Sequence, residues 1–277
     1  MKFLSLAAFG AGAALAASMA PSCKPHPLAP QFIGRSFAHR GLFNNRTICE
    51  NSLEAFAFAV DNNYGIELDV QLTADGKVVV FHDDSLLRMC GVEKQVNSCT
   101  YRELASLTLG STDQTIPLFK DVLALVDGRV PLIVELKSTA DIAPLCLKTY
   151  DLLRKYDGPC CIESFNPLIV DWFRRNAPQI MRGQLATKMG KGGGLAAQAN
   201  SYALSHLMYN FLSRPHFIAY DQRYRDSCAL KLCRALGAFT VAWTVTKENY
   251  VKNAACYDAV IFEGFFPPAH ITEPFSG

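Results

Sequence analysis

The sequence predicts an α/β fold: a (β/α)8 barrel of the TIM type, with a small insertion between barrel strands 2 and 3. Three observations predict it. Strand-like runs recur at 36–40, 65–71, 131–136, 160–165, 181–186, 216–220, 239–245 and 259–263. Helical patterns lie between them, at 52–62, 118–126, 140–155, 168–176, 195–212, 226–236 and 247–254. That alternation implies parallel strands with helices outside. The eight units fill about 240 residues, the size of a closed barrel. Half of the 277 residues are hydrophobic, enough for a full core.

Residues 1–30 read as a segment apart. Lys2 precedes an uncharged, proline-free run from Phe3 to Ala20, which Pro21 ends. The run has the form of a secretory signal, with a weak small-residue pattern at Ser18-Met19-Ala20. It also has the form of a membrane anchor near the lower length limit. Before the first strand it has little to pack against. The expectation is membrane association or export through residues 3–20; a cytoplasmic location is the alternative. The prolines at 21, 25, 27 and 30 read as a linker, which leaves 31–277 as the barrel domain.

Strand 1 leads through Phe37-Ala38 into His39-Arg40, and Gly41 ends it. Asn51-Ser52-Leu53-Glu54 has the form of a helix N-cap. Leu53, Phe56, Ala57 and Val60 then recur at helical spacing. In strand 2, Ile66, Leu68 and Val70 alternate with Glu67, Asp69 and Gln71, giving one apolar and one acidic face. Asp75-Gly76 is a tight turn, and Val78 to Phe81 forms the returning arm of a hairpin that ends at His82. The stretch 84–117 completes the insertion. Val134-Glu135-Leu136-Lys137 ends strand 3, with Glu135 and Lys137 on one face. A glycine-rich patch, Met189 to Gly194, follows strand 5. It belongs to the end of the barrel where active sites form, and reads either as a loose surface loop or as a rim that sets Lys188 and Lys191 near an anionic substrate.

Composition excludes some functions. The net charge is +2, and 27 basic residues are scattered among 25 acids, so no nucleic-acid surface is present. The ten cysteines contain no C-x-x-C pair. A zinc site or thioredoxin-like motif is therefore excluded, and the cysteines read as reduced, buried small hydrophobes. No feature sets an oligomeric state.

The chemistry lies between Phe37 and Asp83. Residues i and i+2 on a strand point the same way, so Glu67 and Asp69 reach one common point. Adjacent carboxylates repel unless a cation joins them or one takes a proton. Hard cations such as Mg²⁺ or Ca²⁺ suit such ligands. A solvated strand face would explain the pair in an open sheet. In a closed barrel the face opposite Ile66, Leu68 and Val70 is the interior, where unpaired charge is costly. Closure places His39, Arg40, Glu67, Asp69, His82, Glu135 and Lys137 around one mouth. That set suits phosphodiester cleavage: cations for the phosphate, and histidines to move protons.

The strings HRG, ENS, ELDVQLTADGKVVVFHDD and VELK resemble the glycerophosphodiester phosphodiesterase family, in order from about Arg35 to Lys137 and more weakly to Pro267. The resemblance implies a barrel enzyme that releases glycerol 3-phosphate and an alcohol from deacylated phospholipids. It implies His39 and His82 as the acid–base pair, and Glu67, Asp69 and Glu135 as ligands of one Ca²⁺ or Mg²⁺. It implies Arg40 and Lys137 as phosphate contacts, and Trp243 and Phe165 as walls of the substrate pocket. Glu50, on the EN motif, either orients Arg40 or lies behind the metal. One departure stands out: Glu263-Gly264 occupies a place where the family more often has Thr-Asp. Two other readings remain open, a lysophospholipase D acting on acylated lipids and a non-catalytic barrel that binds phosphate esters. An apolar groove at the mouth favours the first of these; retention of both histidines and all three acids opposes the second.

Overall fold

The computed structural model describes residues 16–190 and 194–275. Eight parallel strands form a closed barrel: β1 (Ser36–His39), β2 (Gly65–Leu72), β4 (Leu132–Leu136), β5 (Cys160–Ser164), β6 (Met181–Ala186), β7 (Phe217–Asp221), β8 (Phe239–Val245) and β9 (Ala259–Phe262). Pairing of β1 with both β9 and β2 closes it. β3 (Val78–Val80) is the antiparallel hairpin arm on β2. The eight expected barrel strands are all present.

Strand alternation sorts the side chains into two layers. Ile66, Leu68, Val134 and Ile162 point outward into a core shared with the helices. Phe37, Ile133, Cys161, Met181, Phe217 and Phe239 fill the barrel interior. Two glycines make room for the largest rings. A Cβ at Gly65 or Gly183 would lie 2.4 or 2.2 Å from the rings of Phe37 and Phe217.

Helix α1 (Leu53–Asp61) starts where expected, because the Ser52 hydroxyl accepts from the Ala55 N–H. The expected helix over 195–212 is two pieces, Leu195–Ser205 and Asn210–Ser213, with Leu207 at φ 57° between them. The segment 84–117 contains α2 (Leu87–Cys90) and α3 (Tyr101–Leu104), and packs around its own apolar cluster, which includes Val79, Leu86, Val96 and Ile116.

The chain before β1 is more tightly held than a linker. A 3-10 turn at Ala29–Gln31 sets Phe32 under the barrel, with its ring stacked 5.7 Å from that of Phe37. Met19 is buried, and its carbonyl accepts from the Asn210 amide at 2.9 Å. The end of the apolar run therefore does have a surface to pack against. Residues 1–15 of that run, and Lys191 with the central glycines of the rim patch, lie outside the described residues. Among the described residues, no helix is long and apolar enough to cross a membrane. The cysteines described are unpaired; Cys23, Cys228 and Cys256 are exposed and the others at least partly buried.

Candidate active site

Parallel register assembles the acids. It sets His39 beside Glu67, Asp69 beside Glu135, and Glu135 beside Glu163. Alternation points these side chains inward, opposite the outward-facing Ile66, Leu68, Val134 and Ile162. One carboxylate oxygen from each of Glu67, Asp69 and Glu135 lies within 4.8 Å of the others. All three residues are buried, at 3%, 1% and 8% exposure.

That concentration of acid is only partly offset. Lys137 Nζ lies 2.7 Å from Asp69 Oδ1 and 2.9 Å from Glu135 Oε1. Burial opposes the charge of Lys137, but the two carboxylates outweigh it and raise its pKa. Burial also works against the Asp69 anion, and Lys137, His82 and Arg40 overcome it, so Asp69 stays ionised. Glu135 is pushed up to about 7, chiefly by burial. Glu67 rises well above the usual range through burial and then through Asp69, Glu163 and Glu135. Oxygen-only donors in this number and closeness fit a hard divalent cation, which would relieve the repulsion.

Arg40 lies just past β1, at φ 55°. Its N–H donates to Glu67 Oε2 at 3.2 Å, and its Nη1 to Glu50 Oε1 at 2.7 Å. Glu50 thus pairs with Arg40. Burial would raise its pKa, but hydrogen bonds from Arg88 and the charge of Arg40 bring it down to about 2. Arg88, on α2, continues the chain of contacts. It donates to Glu50 at 2.7 and 2.9 Å and to Asp83 at 2.6 and 3.1 Å. Asp83 Oδ1 in turn accepts from His82 Nδ1 at 2.6 Å.

The two histidines have the same arrangement. His39 Nδ1 pairs with Glu263 Oε2 at 2.5 Å, as His82 Nδ1 pairs with Asp83. A carboxylate on Nδ1 fixes the ring and leaves Nε2 to handle protons. Burial lowers the pKa of His82. Both rings line a cavity of about 110 Å³, together with Arg40, Glu67, Glu135 and Glu163 on its polar side. Phe165, Leu185, Trp243 and Ile261 form the apolar side. The rings of Phe165 and Trp243 meet edge to face at 5.6 Å.

The ten residues singled out in the sequence gather at this one end of the barrel. Seven line the cavity: His39, Arg40, Glu67, His82, Glu135, Phe165 and Trp243. Asp69, Lys137 and Glu50 pair with residues of that lining. Sequence reasoning missed Glu163, Arg88 and the partnership of Glu263 with His39. Cys161 and Glu163 alternate as Ile133 and Glu135 do, a signal that was there to be used. Arg88 carries none, since it meets Glu50 38 residues away.

The sequence model described as the "Glycerophosphoryl diester phosphodiesterase family" matches residues 39–263, from the first histidine to its carboxylate partner. The chain belongs to this family. A glycerophosphodiester phosphodiesterase of Caldanaerobacter subterraneus subsp. tengcongensis is 29% identical over 228 residues, covering 78% of this chain and 87% of that protein. One from Bacillus altitudinis is 39% identical over 108 residues, but the match spans only 43% of its length. A lysophospholipase D of Mus musculus is 38% identical over 111 residues, 28% of its length. Among solved structures, an Oleispira antarctica phosphodiesterase, in complex with the product sn-glycerol-3-phosphate, superposes with a TM-score of 0.68 at 23% identity. It covers 83% of this chain and 93% of its own, which supports the fold.

Proposed function

We propose that the protein is a metal-dependent phosphodiesterase that hydrolyses glycerophosphodiesters to sn-glycerol 3-phosphate and an alcohol. The observation that carries this reading is the juxtaposition of three buried carboxylates with two carboxylate-bound histidines at one small cavity, Asp69 lying just behind its lining. Glu67, Asp69 and Glu135 would hold one divalent ion, Ca²⁺ or Mg²⁺. Such an ion, when bound, offsets the charge of the phosphate and of its transition state. The chain's own residues do the rest. Arg40 and Lys137 add fixed positive charge beside the phosphate. One imidazole Nε2 removes the proton from the attacking hydroxyl; the other gives a proton to the departing alkoxide. Glu263 and Asp83 hold these rings in the productive orientation. Phe165 and Trp243 exclude water and shape the pocket.

A second reading, lysophospholipase D activity, has one observation in its favour. A groove of about 550 Å³, lined by Phe165, Pro167, Leu168, Leu204 and Leu212 among others, adjoins the cavity through Phe165. An acyl chain fits such a surface. The catalytic cavity itself, about 110 Å³, is small beside typical ligand pockets of roughly 300–1,000 Å³, which favours the deacylated substrate. Turnover of glycerophosphoethanolamine, compared on one protein with that of lysophosphatidylcholine in mixed micelles, decides between them. A higher kcat/KM on glycerophosphoethanolamine supports the first reading; the reverse order transfers the assignment to the second.

The apolar run Phe3–Ala20 supports a further proposal, that residues 1–30 attach the enzyme to a membrane or direct its export. Carbonate extraction of cells expressing the full chain tests it: recovery of the full-length protein in the cytosolic fraction alone contradicts both.

A further inference from the structure

Glu163 is the one acid of the cavity that the proposed chemistry leaves without work. It is 1% exposed, and its Oε2 has no hydrogen-bond partner among the described residues. Neither Lys137 nor Arg40 pairs with it; they pair with Asp69, Glu135 and Glu50. It also stands apart from the close group formed by Glu67, Asp69 and Glu135. A buried carboxyl oxygen without a donor is costly, and in a cavity open to substrate it marks a place for a ligand's donor. Elsewhere in the lining of the same cavity, the indole Nε1–H of Trp243 is likewise buried without an acceptor. Beside Trp243 the lining is made by Thr244 and by the apolar Phe165, Leu185 and Ile261.

We infer that Glu163 is a specificity-determining residue that accepts a hydrogen bond from a hydroxyl of the substrate's glycerol unit. The inference rests on the phosphodiesterase reading and names what that site selects. The cavity suits a small aliphatic group bearing a proton donor for Glu163 and a lone pair for Trp243. The hydroxyls of a glycerol unit offer both. A quaternary ammonium, as in a choline leaving group, offers neither a hydroxyl proton to Glu163 nor an acceptor to Trp243.

The test measures binding and turnover separately. Calorimetry with sn-glycerol 3-phosphate, with propane-1,2-diol 1-phosphate and with propane-1,3-diol 1-phosphate, in the presence of Mg²⁺, reads hydroxyl recognition without catalysis. Wild-type protein should bind glycerol 3-phosphate about 10- to 100-fold tighter than at least one of the deoxy analogues. Glu163→Leu should abolish that preference by losing affinity for glycerol 3-phosphate alone, and Glu163→Gln should keep part of it. In turnover of glycerophosphoethanolamine, Glu163→Leu should raise KM more than it lowers kcat. Equal binding of all three ligands by the wild type, or an equal loss on all three in Glu163→Leu, overturns the inference. So does a variant that loses only its discrimination between choline and ethanolamine esters. Selective binding without any turnover overturns the phosphodiesterase reading and leaves the role of Glu163 standing.

Discussion

At the residue scale, function depends on paired side chains. His39→Ala and His82→Ala should each lower kcat by about 10²–10⁴ with the fold retained, as circular dichroism would show. Glu263 would act through the His39 ring it pairs with, so Glu263→Gln should cost less, about 10- to 100-fold, and mostly in kcat. A kcat unchanged in Glu263→Gln would show that the contact does not orient His39. That Glu67, Asp69 and Glu135 would gather at the barrel mouth was legible in the sequence because strand alternation is a strict rule. Once Ile66, Leu68 and Val70 face the helices, Glu67 and Asp69 have only the interior. The same rule applied to Cys161 and Glu163, yet a single acid in an apolar run gave no second residue to pair it with. Glu263 was visible as a departure from the family pattern, but its contact with His39 depends on β9 lying beside β1, 224 residues away in sequence.

At the element scale, the insertion is part of the site. Helix α2 delivers Arg88 between Glu50 and Asp83, and so ties Arg40 to His82 through consecutive ion pairs. Arg88→Met leaves the buried Glu50 with Arg40 as its remaining cation and Asp83 with His82 as its remaining partner. It should destabilise the fold by about 1–3 kcal/mol, read from the denaturant midpoint, and lower kcat as well. The strands were readable to within a residue or two. The break in the helix after Ser205 was not, because the sequence 195–212 keeps apolar residues at helical spacing across Leu207. Inside the barrel, Gly183 has a packing role. Gly183→Ala brings a methyl against the Phe217 ring and should cost about 1–3 kcal/mol by overpacking, visible as a lower Tm. An unchanged Tm would mean that the Phe217 ring moves aside freely.

At the scale of the whole molecule, the two ends of the barrel have different chemistry. The mouth gathers acids, whereas the opposite end holds His26, Arg182 and His216, with the two imidazole rings 4.9 Å apart and the Arg182 backbone N–H on His216 Nδ1. Burial, then Arg182 and His26, push His216 down to about 3 from 6.5. Its folded pKa is depressed, so it adds no pH dependence well above 6.5. As pH falls from 6.5 towards 3, the unfolded chain takes up the proton first and stability is lost. His216→Gln should flatten that part of the curve of unfolding free energy against pH, and an unchanged slope would exclude His216 as its source. The barrel as a whole was legible because eight alternating units leave few other architectures. The seat of Met19 and Phe32 on it was not, because nothing local in a proline-rich stretch marks which surface it will cover.

The central claim is that the acidic triad serves a cation-dependent phosphodiester cleavage. Its most direct test is release of sn-glycerol 3-phosphate from glycerophosphocholine by the full chain, with Mg²⁺, with Ca²⁺ and with EDTA. Release that requires either ion, stops in EDTA and is lost in Glu67→Ala is the expected result. Release undiminished by EDTA, or none from folded protein with either ion present, would contradict it.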